Sequence, residues 1–379
     1  MRLFKQLGHY GQSIWLDYIS RQIIYSGELK RMVEEDGLSG VTTNPTLFEN
    51  AIDGSHDYDR AFERLLAIDS HIDAQTLYER LSIEDVQMAA DVLRPVYDHT
   101  KGRDGFVSIE VSPYLAHDTP ATIVEAQRLW NEVSRPNLMV KIPATQEGIP
   151  AIDALLASGI NVNITLIFSR RQYEAVMRAF LSGIENAPDP TRTVSVASVF
   201  VSRIDTIVDS LLEQMGSPEA LGLRGKIGVA NAKLIYREFK SVFYSARFAG
   251  LRLRRVPVQR VLWGSTGAKN PAYSDVLYVE ELIGPDTINA VPPATLHAFK
   301  GHGYVRGPTL EEEVTEAEAA LNLLSRLGID LNAIAEKLQA DGVVAFAASM
   351  DKVLATINQK SKASQSKRDN AESPNYSLC

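Results

Sequence analysis

The chain has 379 residues, 45% of them apolar and 23% charged, a composition that excludes a wholly disordered polypeptide and allows a large core without metal or disulfide staples. With 39 basic and 47 acidic side chains its formal charge is −8, so it carries no general attraction for nucleic acid or for a membrane surface. A single cysteine, Cys379, rules out a disulfide framework and a cysteine-rich zinc site. No apolar run approaches the roughly 18 residues of a bilayer span, and the N-terminal stretch lacks the apolar segment of a secretory signal, so the expectation is a soluble protein of the reducing cytoplasm.

Segments rich in β-branched and apolar residues predict eight strands, at 13–19, 38–44, 106–112, 137–143, 161–168, 193–201, 258–266 and 286–292. Helical patterns lie between them. Leu77, Leu81, Ala89, Val92 and Leu93 recur near helical spacing over 76–94, and Asp118 followed by Pro120 starts a helix that runs to about 133. Further helices are expected at 148–158, 170–183, 205–215 and 229–247. Strand alternating with helix is the pattern of a parallel sheet, and eight such strands fit a closed (β/α)8 TIM barrel better than an open doubly wound sheet. Neither GxGxxG after the first strand nor GxxxxGK[ST] anywhere supports a nucleotide-binding sheet. Beyond the eighth strand, helices are expected at 309–327, 331–339 and 343–357. Residues 1–357 thus read as one barrel domain with extra C-terminal helices, and 358–379 as a polar, disordered tail. The C-terminal helices could cover the barrel or pair two identical chains, which leaves a homo-oligomer open. Residues 224–260 hold ten Lys or Arg and one acid, Glu238. That run reads first as a solvated helix face and second as a positive field near an anionic substrate.

Side chains alternate along a strand, so residues two apart share a face. Val162, Ile164 and Leu166 oppose Asn163 and Thr165; Val107, Ile109 and Val111 oppose Ser108, Glu110 and Ser112; Lys141 opposes Val140 and Ile142; Asp17 opposes Leu16 and Tyr18. With the apolar faces on the outer helices, the polar set falls inside the barrel, toward the strand C-termini where barrel active sites lie. Charges and amides there are costly unless they serve one another or a ligand. Desolvation penalises an ammonium and so favours the free amine that attacks a carbonyl to form a Schiff base, which makes Lys141 a candidate nucleophile; the plainer alternative is a buried ion pair with Glu110 or Asp17. Two carboxylates on different strands, Asp17 and Glu110, could divide the proton transfers such chemistry needs. Asn44, Asn163 and Thr165 could hold substrate hydroxyls and a water, although Asn44-Pro45 also reads as a strand-to-helix turn. Ser265, Thr266 and Gly267 followed by Lys269 form a loop of small residues after the seventh strand, suited to phosphate, and Ser198 with Arg203 could supply a second arm. The seven histidines are scattered, HExxH and GxSxG are absent, and no metal site is expected.

The stretches SIWLDYISR (13–21), GVTTNPTLFENAI (40–52), SIEVSP (108–113), LMVKIPAT (138–145), NVNITLIFS (161–169) and WGSTGAKNPAY (263–273) resemble transaldolase, in order along residues 8–355. The KNPAY and PDTINAVPPATL segments are closest to its longer bacterial form. The resemblance implies a Schiff-base aldolase barrel of the pentose phosphate pathway that uses neither metal nor organic cofactor. It would move a dihydroxyacetone unit from sedoheptulose 7-phosphate to glyceraldehyde 3-phosphate, giving erythrose 4-phosphate and fructose 6-phosphate. Lys141 would then form the imine, Asp17 would serve carbon–carbon cleavage, and Glu110, through a water held with Thr165, would serve the carbinolamine. Asn44 and Asn163 would bind the dihydroxyacetone portion, with Ser198, Arg203 and Lys269 on the phosphate side. Two departures stand out. Residues 198–203 read Ser-Val-Phe-Val-Ser-Arg where the short form has Ser-Pro-Phe-Val-Gly-Arg, and Lys269 fills a position usually held by Arg, without its bidentate fork. The competing readings are a fructose 6-phosphate aldolase, whose members are shorter and lack the Glu110 carboxylate, and a catalytically silent sugar-phosphate-binding barrel.

Overall fold

A computed structural model describes residues 3–52 and 56–372. All eight expected strands are present: β1 (Gln12–Asp17), β2 (Gly40–Thr42), β3 (Phe106–Glu110), β4 (Leu138–Pro143), β5 (Val162–Ile167), β6 (Ser195–Phe200), β7 (Arg260–Gly264) and β8 (Thr287–Val291). Each pairs in parallel with the next, and β1 closes on β8, so the barrel has no free edge. The TIM-barrel architecture therefore stands. Helices start where the sequence places caps. Asp118 accepts from the Ala121 amide, and Ser169 forms a capping box with Gln172 ahead of the helix Arg170–Asn186.

The barrel interior is stacked in layers. At the N-terminal end, the Arg260 guanidinium donates to the Thr287 carbonyl at 2.7 Å and faces Asp104, whose other oxygen accepts from the Trp15 indole at 2.7 Å. Burial lowers the Arg260 pKa, with the Asp104 charge opposing that shift. Above this network lies an apolar plug of Trp15, Phe106, Met139, Val196, Leu262 and Ile288. Gly40 is required beside it, since a Cβ there would overlap the Trp15 ring. The plug closes the floor, so polar groups one layer higher can only face the C-terminal mouth.

Two expectations at the C-terminus are corrected. The breaks placed near 339–343 and after 357 do not occur, because one helix runs unbroken from Leu331 to Glu372. Beyond residue 357 it stays docked, with Ile357 fully buried beside Ile52 and the Lys360 ammonium bonded to the Ile52 carbonyl at 2.8 Å. A polar composition is compatible with helix here because tertiary packing anchors its start. Residues 373–379 of the expected tail, including Cys379, lie outside the described residues. Nearer the barrel, the segment expected as helix 309–327 begins as a 3-10 turn, Thr309–Glu311, before the helix Val314–Arg326.

The basic stretch 224–260 is also resolved. Arg224, Arg237 and Lys240 pair with Glu213, Glu318 and Glu311 on neighbouring elements, and Arg260 lies in the N-terminal layer, opposite the mouth. These four charges hold helices and the barrel floor together, as the first reading of that run expects. No helix among the described residues is long and apolar enough to cross a membrane.

Candidate active site

At the C-terminal mouth the strand ends place Glu110, Lys141 and Asn163 in register across three adjacent strands: Glu110 pairs with Lys141, and Lys141 with Asn163. Lys141 is 5% exposed. Its ammonium nitrogen lies 2.7 Å from Glu110 Oε1 and donates to the Thr43 carbonyl at 2.7 Å. The ion pair that was the plainer reading of this lysine is therefore present, and it is also the geometry that brings a proton acceptor to the amine. Burial pushes the Glu110 carboxyl above its ordinary value, with the Lys141 charge opposing and the Asp17 charge adding. Asp17, at the end of β1, is likewise raised by burial, against the charges of Lys141 and Lys269. Both acids are thus better proton acceptors than exposed carboxylates.

Asp17, Lys141, Thr165 and Asn44 line one cavity of about 200 Å³ at the mouth, and Ser198, Arg203, Ser265 and Lys269 line the same cavity. Thr165 Oγ1 is buried and has no hydrogen-bond partner among the described residues. Asn44 does both things the sequence suggested. Its Oδ1 accepts from the Leu47 amide at 3.0 Å, capping the helix Pro45–Ile52, while the residue lines the cavity.

Two positions differ from expectation in detail. The Ser198 hydroxyl donates to Asn163 Oδ1 at 2.6 Å, so it orients the amide and is not free on the phosphate arm. Asn163 in turn donates to Ser108 Oγ at 2.9 Å, which fixes its amide in one orientation beneath the cavity. The cationic wall is left to Arg203, in the first turn of the helix Ser202–Met215, and Lys269 in the loop after β7. Ser265 adopts a left-handed backbone (φ +52°), with its hydroxyl 3.0 Å from that of Ser202, so the loop turns sharply around this wall.

Sequence reasoning missed two aromatic walls. Phe200 lies two residues beyond Ser198 on the same face of β6, so strict alternation could have found it. Phe346 comes from the long C-terminal helix, which folds back across the mouth, and no local signal marks it. Among the described residues no group of three His, Cys, Asp or Glu could hold a metal ion.

Residues 14–357 match the family model described as Transaldolase/Fructose-6-phosphate aldolase. The chain belongs to that family. Within it, a transaldolase of Thiobacillus denitrificans is 46% identical over 361 residues, covering 94% of this chain and 100% of that one. Transaldolase 1 of Streptomyces coelicolor is 45% identical over 359 residues, 94% of each chain. A transaldolase of Mycobacterium tuberculosis is 45% identical over 349 residues, 91% of this chain and 93% of its own. The family match runs from within β1 through the rest of the barrel and along the C-terminal helix to Ile357.

Proposed function

We propose that the protein is a transaldolase that carries a dihydroxyacetone unit between sugar phosphates as an imine on Lys141. One observation carries the reading: a buried amine 2.7 Å from a carboxylate, at a closed barrel's mouth, beside a wall bearing two cations. Glu110 takes the ammonium proton, and the free amine adds to the C2 carbonyl of the ketose to give a carbinolamine. Loss of its hydroxyl as water, with Glu110 acting as acid through a water held at Thr165 Oγ1, leaves the iminium. Asp17 then removes the proton of the C4 hydroxyl. The C3–C4 bond breaks, its electron pair passes to the iminium to form an enamine, and the shortened aldose leaves. Attack of the enamine on the acceptor aldehyde, with Asp17 returning its proton, and hydrolysis of the new imine complete the transfer. Arg203 and Lys269 hold the phosphate end, as charged donors suited to an anion. The single cysteine supports a reducing, cytoplasmic setting.

The same family includes fructose-6-phosphate aldolases, which would release free dihydroxyacetone. The Glu110–Lys141 pair and the helix carrying Phe346 over the mouth favour transfer, because a held enamine must be kept from stray protonation. Incubation with fructose 6-phosphate and erythrose 4-phosphate should give sedoheptulose 7-phosphate, and fructose 6-phosphate alone should give almost no dihydroxyacetone. Stoichiometric dihydroxyacetone release over many turnovers without an acceptor would refute the transfer reading.

A further inference from the structure

We infer that Gln339 and Gly342, on the C-terminal helix, are positioning residues that hold Thr165 in its working geometry; this rests on the reading of Thr165 given above. The starting point is an irregularity in β5. Against β6, Ile164 pairs with Ala197 and Ile167 with Val199, so β5 carries one extra residue across that span, a bulge. Leu166, inside the bulge, has φ +60°, a left-handed backbone that a branched side chain rarely adopts. Regular alternation would send Ile164 and Ile167 to opposite faces. With the bulge, both join the outer core, Thr165 faces the cavity, and Leu166 packs with Ala335 and Leu338 of the C-terminal helix.

That strained turn is held from outside the barrel. Gln339 Nε2 donates to the Leu166 carbonyl at 3.0 Å and to the Ala144 carbonyl at 2.8 Å. The Ala144 amide donates to the Thr165 carbonyl at 2.8 Å. One side-chain amide therefore ties the ends of the strands that bear Lys141 and Thr165. Three residues on, Gly342 occupies the middle of a long helix, where glycine is unfavourable. A Cβ at Gly342 would lie 2.8 Å from Leu166 Cδ2, so a side chain there would have to push the Leu166 tip aside. Strain of this kind persists where surrounding structure over-determines it, and here the determinants converge on the residue beside Thr165. Neither Gln339 nor Gly342 lines the cavity, so any effect on catalysis passes through β5.

The test is a double-mutant cycle on the full chain, with kcat and KM for fructose 6-phosphate measured for Gln339→Met, Thr165→Ala and the pair. Gln339→Met keeps the length and removes both donors, and kcat should fall about 10-fold, the scale of one or two lost hydrogen bonds, with KM within about twofold. The paired variant should match Thr165→Ala alone within about twofold, because a displaced hydroxyl and an absent one are equivalent. Gly342→Ala serves as a second variant, acting by pressure on Leu166, and should show the same drop in kcat and the same non-additivity. Losses that multiply, or an unchanged kcat in both single variants of the helix, would overturn the inference while leaving Thr165 in place. A Thr165→Ala enzyme with undiminished kcat would instead overturn the reading of Thr165 on which the inference stands.

Discussion

Replacing Lys141 by Met removes the amine and strands its partner, and the cost of doing so can be worked from the geometry. In the native protein the Glu110 carboxyl is buried 2.7 Å from the ammonium, and burial already raises its pKa above the ordinary 4.5. Without the cation the carboxyl is raised further, so the folded variant keeps a proton that the unfolded chain releases. Stability then falls as pH rises above the unfolded value, by at most about 1.4 kcal/mol per pH unit. Between pH 5 and pH 8 this amounts to at most about 4 kcal/mol, in line with roughly 3–5 kcal/mol for breaking a buried ion pair. The Lys141→Met/Glu110→Gln variant loses the same bond to the Thr43 carbonyl but retains no titrating group there. Urea unfolding of the two variants across that range isolates the carboxylate, since every other group is common to both. The double variant should gain steadily on the single one as pH rises. A stability difference that stays flat from pH 5 to pH 8 would refute the buried pairing of Glu110 with Lys141.

Asp17→Asn should lower kcat by about 10²–10⁴-fold, the usual worth of a positioned acid–base group, measured by steady-state turnover. Because burial raises the Asp17 pKa above 3.8, the wild-type fold loses stability as pH climbs through that shift; the Asn variant should therefore unfold at higher denaturant at pH 7, with the gap closing toward pH 4. Lys269→Met should raise KM for fructose 6-phosphate about 10- to 100-fold, the scale of a charged hydrogen bond, and leave weak turnover of unphosphorylated fructose unchanged. Arg260→Ala, at the floor of the barrel, should destabilise the fold by about 3–5 kcal/mol in urea unfolding, because Asp104 stays buried without its cation.

The barrel was legible, and so was a set of candidate site residues, because both follow from period-two alternation. Polar residues opposite apolar ones on β1, β3, β4 and β5 marked an interior layer that a barrel would not otherwise tolerate, and Glu110, Lys141 and Asn163 lie together in it. What the sequence hid was determined across long distances. The break expected near Gly342 does not occur, because the helix continues through it and packs there against Leu166, and the polar residues beyond 357 stay helical because Ile357 and Lys360 are anchored on the helix Pro45–Ile52. The bulge at Leu166 leaves no compositional mark. For the Lys and Arg run at 224–260 the structural reading was the first one, but charge density along the chain does not say which acids fold back to meet it. Ser198 was picked out as a candidate and does line the cavity, but no local signal shows that its hydroxyl is committed to Asn163.

The central claim is that one buried amine captures the ketose. Borohydride added during incubation with fructose 6-phosphate, followed by peptide mass mapping, addresses it directly. The account predicts a reduced three-carbon adduct on the peptide containing Lys141 and on no other. An adduct on Lys269 or on any other lysine, or a chain that turns over substrate with no adduct at all, would contradict it.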